Sequence, residues 1–541
     1  MRKDMIPAHV GLLLAAVLGA GLVAYSTSSG VGVGGDATIY IYSAKNLLAG
    51  HGLGLVGPQG EFRLLPYFPP GFPLALAAVG SSGIDLDLAG RWLNILLFAG
   101  IIVLSGEMLL RVVRPIGLVI LIACVLALSP LLSPVYSWVM SEPLCIFLGF
   151  LGIVLELAFL RHGDKGLALL VCAALAAGLS FLTRYSAAAF PAAGLIGLLW
   201  LSRRPRRERV RDGIVYAVAA AAPMAAWLAV DLTQTATVSS RRFESVERMV
   251  SQFFGAWGYL KDGFLNWLVP NSWVTAPPYP HILNSALAAV TLAGVLAWTV
   301  WAARTASKHE AQDNRAGEAY RLIILLGLFI VAYVGLVVVV YALTFPTIDI
   351  NNRMLSPVHV AFLWLVTALA GLSLSRVPNR RWIGQMALAA FGLATLWYGW
   401  RDVRIVRQNQ ASGLGYNSAD WRESDTIRAV KALPASTLIV TNEETAILYL
   451  LGRPTYSMQE PFQVSNAPAV TYGDGDLATD KGERVFRQDG AALVLFNSIQ
   501  DQLAVYYGDQ ARARLAAMTQ GLFRAFQGND GAIYFYRPPA N

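Results

Sequence analysis

A polytopic α-helical membrane protein with a small α/β domain at its C-terminal end is the fold class this sequence predicts, on three observations. Hydrophobic residues make up 55% and charged residues only 14% of the 541 positions, against a charged share of about 25% in soluble proteins. Apolar runs near the roughly 20 residues that a bilayer demands recur up to position 400. From Arg401 onward charge is nearly balanced and turn residues return, which predicts a membrane part over 1–400 and a separate soluble domain over 401–541.

The first run, 10–25, follows Arg2 and Lys3 and lacks a small-residue cleavage site, so it reads as a retained signal-anchor helix with its N-terminus inside. Later runs lie at 73–83, 92–110, 115–132, 143–160, 166–182, 186–201, 213–230, 282–303, 322–343, 358–374 and 383–400. With the short 73–83 run taken as a half-span, about eleven full spans result. The net charge of +8 is informative through its placement, because Lys and Arg accumulate on the cytoplasmic side. This threading puts Arg111 and Arg114, Arg161 and Lys165, the RRPRRERVR cluster 203–211, and Arg376, Arg380 and Arg381 inside. The first loop (28–70), the loop 231–281 and the C-terminal domain then lie outside a cytoplasmic (inner) membrane, and no nucleic-acid partner is expected. Cys124, Cys145 and Cys172 all fall in apolar runs and read as small core residues.

The first loop reads GGDATIYIYSAKNLLAGHG from Gly34 and later PYFPPGFPLALA from Pro66. Its Ile39, Tyr40, Tyr42, Ser43, Leu47 and Leu48 fit a short amphipathic helix lying flat on the bilayer. The second outer loop carries Phe253, Phe254, Trp257, Tyr259, Phe264 and Trp267, which suits another interfacial helix. In the soluble domain the pattern predicts a helix over 419–433, a strand over 437–441 and a helix over 443–451, then a helix ending near 487. A strand over 492–496, a helix over 500–518 and a hairpin of 523–527 with 533–536 across the GNDG turn complete it, as a small, mostly parallel sheet. No phosphate-binding glycine loop or nucleophile elbow occurs there, so this domain is expected to bind or position rather than react.

Ionisable residues at the outer ends of spans are the candidates for chemistry, since a charge at the membrane needs a partner or a water-filled cavity. These are Asp36, Glu142 in WVMSEPL, Arg184 in LTRYSA, and Arg353 with Asp349 in IDINNRMLSP, all placed on one face by independent segments. Each has a plainer reading: Asp36 as an N-cap, Glu142 as a helix-start residue, Arg184 and Arg353 as snorkelling anchors. Lys45 in the first loop is weaker, as a solvated side chain. Asp36 has no acidic neighbour in its loop until Glu61, and no histidine has a second ligand at metal spacing, so the expected chemistry needs no metal or other cofactor.

Asp36 after a small-residue pair, then Tyr40, Ala44, Leu48, Gly50 and Gly52, then Tyr67, Pro69, Pro70 and Pro73, resembles the GT-C glycosyltransferases of the bacterial aminoarabinose-transferase and protein O-mannosyltransferase type. The Ser141-Glu142-Pro143-Leu144 span start and Arg184 at a helix end are similar to that family as well. The resemblance implies transfer of a sugar from a polyprenyl-phosphate carrier to a glycan, lipid or protein acceptor at the outer face, among membrane lipids. It implies Asp36 as general base, with Arg184, Arg353 or Lys45 holding the lipid phosphate, and Tyr40 and Glu142 near substrate. Many relatives carry two adjacent acids in this loop and this chain has one, which leaves any divalent-metal requirement open. The competing reading is a transporter or lipid flippase, which should carry ionisable residues or broken helices near mid-membrane; a non-enzymatic scaffold is the third.

Overall fold

The structure, a computed structural model, describes residues 5–538 except 66–67, 163–165, 236–241, 244–245, 271–280, 310–312, 346–347, 376–380 and 459–478. Tyr67 and the topology cations Arg2, Lys3, Lys165, Arg376 and Arg380 lie outside the described residues. Helices α1 (Ile6–Ser26) and α2 (Gly35–Leu48) precede a hairpin of β1 (Gly54–Val56) and β2 (Phe62–Leu64). Then follow α3 (Gly71–Gly80), α4 (Leu86–Val112), α5 (Ile116–Ala127), α6 (Leu132–Tyr136), α7 (Glu142–His162), α8 (Leu167–Thr183), α9 (Ala189–Leu201) and α10 (Arg206–Thr235). The short β3 (Arg242–Phe243) pairs with β4 (Thr344–Phe345), enclosing α11 (Val246–Leu268), α12 (His281–His309) and α13 (Asn314–Leu343). The membrane part closes with α14 (Asn352–Ser375) and α15 (Arg381–Ser412).

Among the described residues α1, α4, α7, α10, α12, α13 and α14 are long and apolar enough to cross a bilayer, and α3, α5, α8 and α9 are shorter apolar helices. The chain is therefore a multi-pass membrane protein. Its helices show an apolar outer face, as with Leu14 at 65% exposure on α1, and an equally apolar inner one, which suits lipid on one side and packed neighbours on the other. Small residues set the closest approaches: a Cβ added at Gly178 of α8 would fall 2.2 Å from the Ala220 carbonyl of α10. The bundle centre is aromatic, with Phe190 stacked on Phe329 (4.1 Å) and Phe150 against Trp364 (4.8 Å).

The predicted interfacial helix exists as α2, but it does not lie free on a surface. Tyr40 is 1% exposed, edge-on to Phe68 (5.1 Å) and Phe72 (5.3 Å), and the cluster around it includes Tyr416 and Ala446 of the C-terminal domain. Its amphipathic pattern is satisfied by protein on both sides, which hydropathy alone cannot distinguish from a membrane surface.

The C-terminal part comprises α16 (Ala419–Arg422), α17 (Asp425–Ala432), β5 (Ile439–Thr441), α18 (Glu444–Leu451), β6 (Tyr456–Ser457), α19 (Thr479–Gln488), β7 (Ala492–Phe496), α20 (Ile499–Tyr507), α21 (Ala511–Thr519), β8 (Phe523–Gln527) and β9 (Gly531–Phe535). Strand order is β6-β5-β7-β9-β8; β5 pairs in parallel with β6 and β7, while β9 runs antiparallel to β7 and β8. The sheet is thus mixed rather than mostly parallel, because the GNDG hairpin contributes an antiparallel half. The single helices expected over 419–433 and 500–518 are each broken in two. Helix α15 runs through Arg401 to Ser412, so the change of composition falls inside a helix. The domain rests on α2 through Tyr42 Oη donating to the Leu448 carbonyl (2.7 Å), and on the segment before α2 through Tyr416 N to Val33 O (2.8 Å) and Asn417 Nδ2 to Val31 O (2.9 Å).

Candidate functional site

Helix α2 starts from an extended Gly34 (φ −136°, ψ −161°). Its carbonyl accepts from Thr38 N (2.9 Å) and Thr38 Oγ1 (3.0 Å). The N-cap position therefore belongs to Gly34, and Asp36 sits in the first turn without capping it. The Asp36 carboxylate instead accepts from Arg353 Nη2 at 3.1 Å through Oδ2. This decides against the plain cap reading.

Arg353 lies in the first turn of α14 and links three segments. Besides Asp36, its Nε is 3.0 Å from Glu142 Oε1 and its Nη1 reaches Met140 Sδ at 3.5 Å. Glu142 opens α7, is 1% exposed, and has the same oxygen 2.8 Å from Nη1 of Arg184, the residue that ends α8. Arg184 also donates to Ser141 Oγ (3.2 Å), which stands 3.4 Å from Tyr40 Oη. Burial first, and the Asp36 charge next, push the Tyr40 hydroxyl well above the ordinary phenol range, so it stays protonated. Glu142 Oε2 is buried without a hydrogen-bond partner among the described residues. Two guanidiniums and two carboxylates thus form one neutral cluster from four separate segments.

A cavity of about 850 Å³ opens beside this cluster. Asp36 and Arg353 line it, as do Trp138, Met140, Asp349 and Asn351. Of the other expected site residues, Glu142, Arg184 and Tyr40 stand behind the lining, and exposed Lys45 lies over the Tyr42 ring (5.2 Å), off the cavity. Asn266 at the end of α11 and Trp400, Arg401 and Arg404 of α15 line another part of it. Sequence reasoning missed those four. The signal was present, a tryptophan with arginines one and four positions on at the end of a span, but it coincided with the apparent domain boundary.

Among the described residues no group of three or more His, Cys, Asp or Glu side chains gathers as metal ligands. Asp36 and Glu142 both face Arg353, so a guanidinium stands where a cation would bridge them.

No family model and no curated protein matches the sequence. Solved structures match in fold. ArnT from Cupriavidus metallidurans in the apo state aligns with TM-score 0.57 at 14% identity over 98% of each chain. The archaeal oligosaccharyltransferase AglB from Archaeoglobus fulgidus, in complex with an inhibitory peptide and a dolichol-phosphate, aligns with TM-score 0.53 at 11% identity over 99% of this chain and 75% of that one. The Archaeoglobus fulgidus oligosaccharyltransferase in complex with Zn and sulfate gives 0.51 at 11% identity, over 97% and 73%. At such identities the likeness is one of fold: the chain has the fold of ArnT and AglB.

Proposed function

We propose that this protein is a membrane glycosyltransferase that moves a sugar from a polyprenyl-phosphate carrier to a glycan, lipid or protein acceptor, with Asp36 as general base. The observation that carries this reading is a carboxylate on a cavity wall, held by Arg353 and not used as a helix cap. The same fold in AglB accommodates a dolichol-phosphate and a peptide, which supports a lipid-borne donor. The placement of Lys and Arg supports an inner-membrane location with N-terminus inside and both Asp36 and the C-terminal domain outside.

In this mechanism the acceptor hydroxyl oxygen bonds to the anomeric carbon as the bond from that carbon to the phosphate oxygen breaks. The phosphate leaves with the electron pair, and Asp36 takes the hydroxyl proton, an effect worth roughly 10² to 10⁴ in rate. A single displacement inverts the anomeric centre. Arg353 orients Asp36 through the 3.1 Å contact to its carboxylate. Glu142 and Arg184 are positioning residues that hold Arg353, and Tyr40 holds Ser141 beside them.

The test is mass spectrometry of lipid-linked sugars and envelope glycans in cells with the wild-type gene, without it, and with Asp36→Asn at equal membrane abundance. A carrier-linked sugar should accumulate and one decoration disappear in the latter two. An asparagine variant that restores the decoration fully would overturn Asp36 as the base.

A further inference from the structure

Besides the exposed Asp349, the cavity wall carries two groups of charge. Where α2 meets α14, Asp36 and Arg353 neutralise each other, with Glu142 and Arg184 paired behind them. Where α15 meets the end of α11, Arg401 and Arg404 line the same space, and among the described residues neither has a carboxylate within ion-pair distance. Arg401 is 7% exposed and donates to the Asn266 carbonyl (2.9 Å), the Trp267 carbonyl (3.3 Å) and Asn266 Oδ1 (3.3 Å). Those carbonyls end α11, so Arg401 meets the negative end of a helix, worth only about half a charge. Arg404 is exposed, with its guanidinium over the Trp400 ring at 4.2 Å. That stack orients the planar fork and leaves its N–H groups to other partners.

We propose that Arg404, assisted by Arg401, holds the phosphate of the donor's lipid carrier, a proposal that rests on the lipid-phosphate reading above. The Asp36–Arg353 pair brings no net charge to meet a phosphate. The α15 wall does, with two guanidinium forks three positions apart on one helix face. Leu131, Val135 and Ile405 line the cavity with them and offer apolar contact to the first isoprene units. The proton of the acceptor and the charge of the leaving oxygen are then received by different groups: Asp36 takes the proton, and the arginines meet the negative charge developing on phosphate.

The experiment measures binding of undecaprenyl phosphate, undecaprenol and inorganic phosphate to the purified full chain in detergent by native mass spectrometry. Wild type should bind undecaprenyl phosphate and not undecaprenol. Arg404→Gln should weaken that binding by about tenfold or more, the loss of hydrogen bonds to a charged group. Arg407→Gln, the same charge change one turn further along α15 and off the cavity, should not. Because Arg404 is exposed, its replacement leaves packing intact; Arg401→Lys adds a second reading with the cation kept and the fork removed. Undecaprenyl phosphate bound equally by wild type, Arg404→Gln and the Arg401→Lys/Arg404→Gln double variant would overturn the subsite and leave the lipid donor standing. Wild type that binds inorganic phosphate through Arg404 but not the lipid would overturn the lipid-borne source, and with it the donor assignment. Binding of neither probe by wild type would overturn both.

Discussion

Helix α7 carries two glutamates of equal burial, Glu142 and Glu156, each 1% exposed, and their surroundings could hardly differ more. Glu142 opens the helix and lies against Arg184 and Arg353. Glu156, fourteen positions and about 21 Å further on, has no cation within ion-pair distance among the described residues. It packs instead in a crowded seam: a Cβ at Gly194 of α9 would fall 2.7 Å from its Oε2 and 2.1 Å from Tyr216 Oη of α10. A buried acid in a membrane bundle is a functional candidate by default. Here the partners decide, since only Glu142 is wired to a residue on a cavity. The sequence reading placed the charges at span ends and overlooked Glu156, because hydropathy windows average over a single carboxylate.

The largest effect should follow from Glu142→Gln. Removing the shared anion leaves the buried Arg184 without its carboxylate, and breaking a buried pair costs about 3–5 kcal/mol. Thermal unfolding in detergent should register that loss, and transfer should fall with it as Arg353 loses an anchor. A variant as stable and active as wild type would show that the cluster does not hold Arg353.

Gly194→Ala should come next, destabilising by about 1–3 kcal/mol through overpacking. Tyr216→Phe removes the nearer oxygen, so the double variant should recover part of that loss. Strict additivity of the two changes would mean that the seam relaxes elsewhere.

Glu156→Gln is the counterpart that sharpens the contrast with Glu142→Gln. A glutamine fills the same space, and with no cation to desert, stability should change by less than about 1 kcal/mol and transfer not at all. A collapse of transfer without unfolding would make Glu156 functional and favour the transporter-like reading of a mid-membrane acid.

The smallest effect is expected at a third carboxylate, Asp530, in the soluble domain. Burial works to raise its pKa, but the Ser424 and Thr426 hydroxyls and the Thr426 amide donate to it and hold it below the ordinary aspartate range. A depressed folded pKa adds stability above the unfolded value of about 3.9 that is lost as pH falls through the folded one. Asp530→Asn should therefore lower the melting temperature slightly at pH 7 and converge with wild type as the pH falls through the depressed folded pKa of Asp530. A difference that persists in acid would mean that shape rather than charge matters there.

Much of this molecule was legible without coordinates. Apolar runs of bilayer length located the helices, the apolar run 492–496 is the central strand β7, and Asp36, Glu142, Arg184 and Arg353 were singled out by sitting at span ends. Hydropathy and turn chemistry are properties of neighbours along the chain, so they survive in a one-dimensional reading. The tertiary structure alone decided that Arg353, 317 positions from Asp36, holds its carboxylate, that Tyr40 faces protein instead of lipid, and that Arg401 and Arg404 line the cavity of Asp36. Charge pairing and burial depend on distances between segments remote in sequence, and no periodicity within a segment encodes which remote segment comes within 3 Å of it.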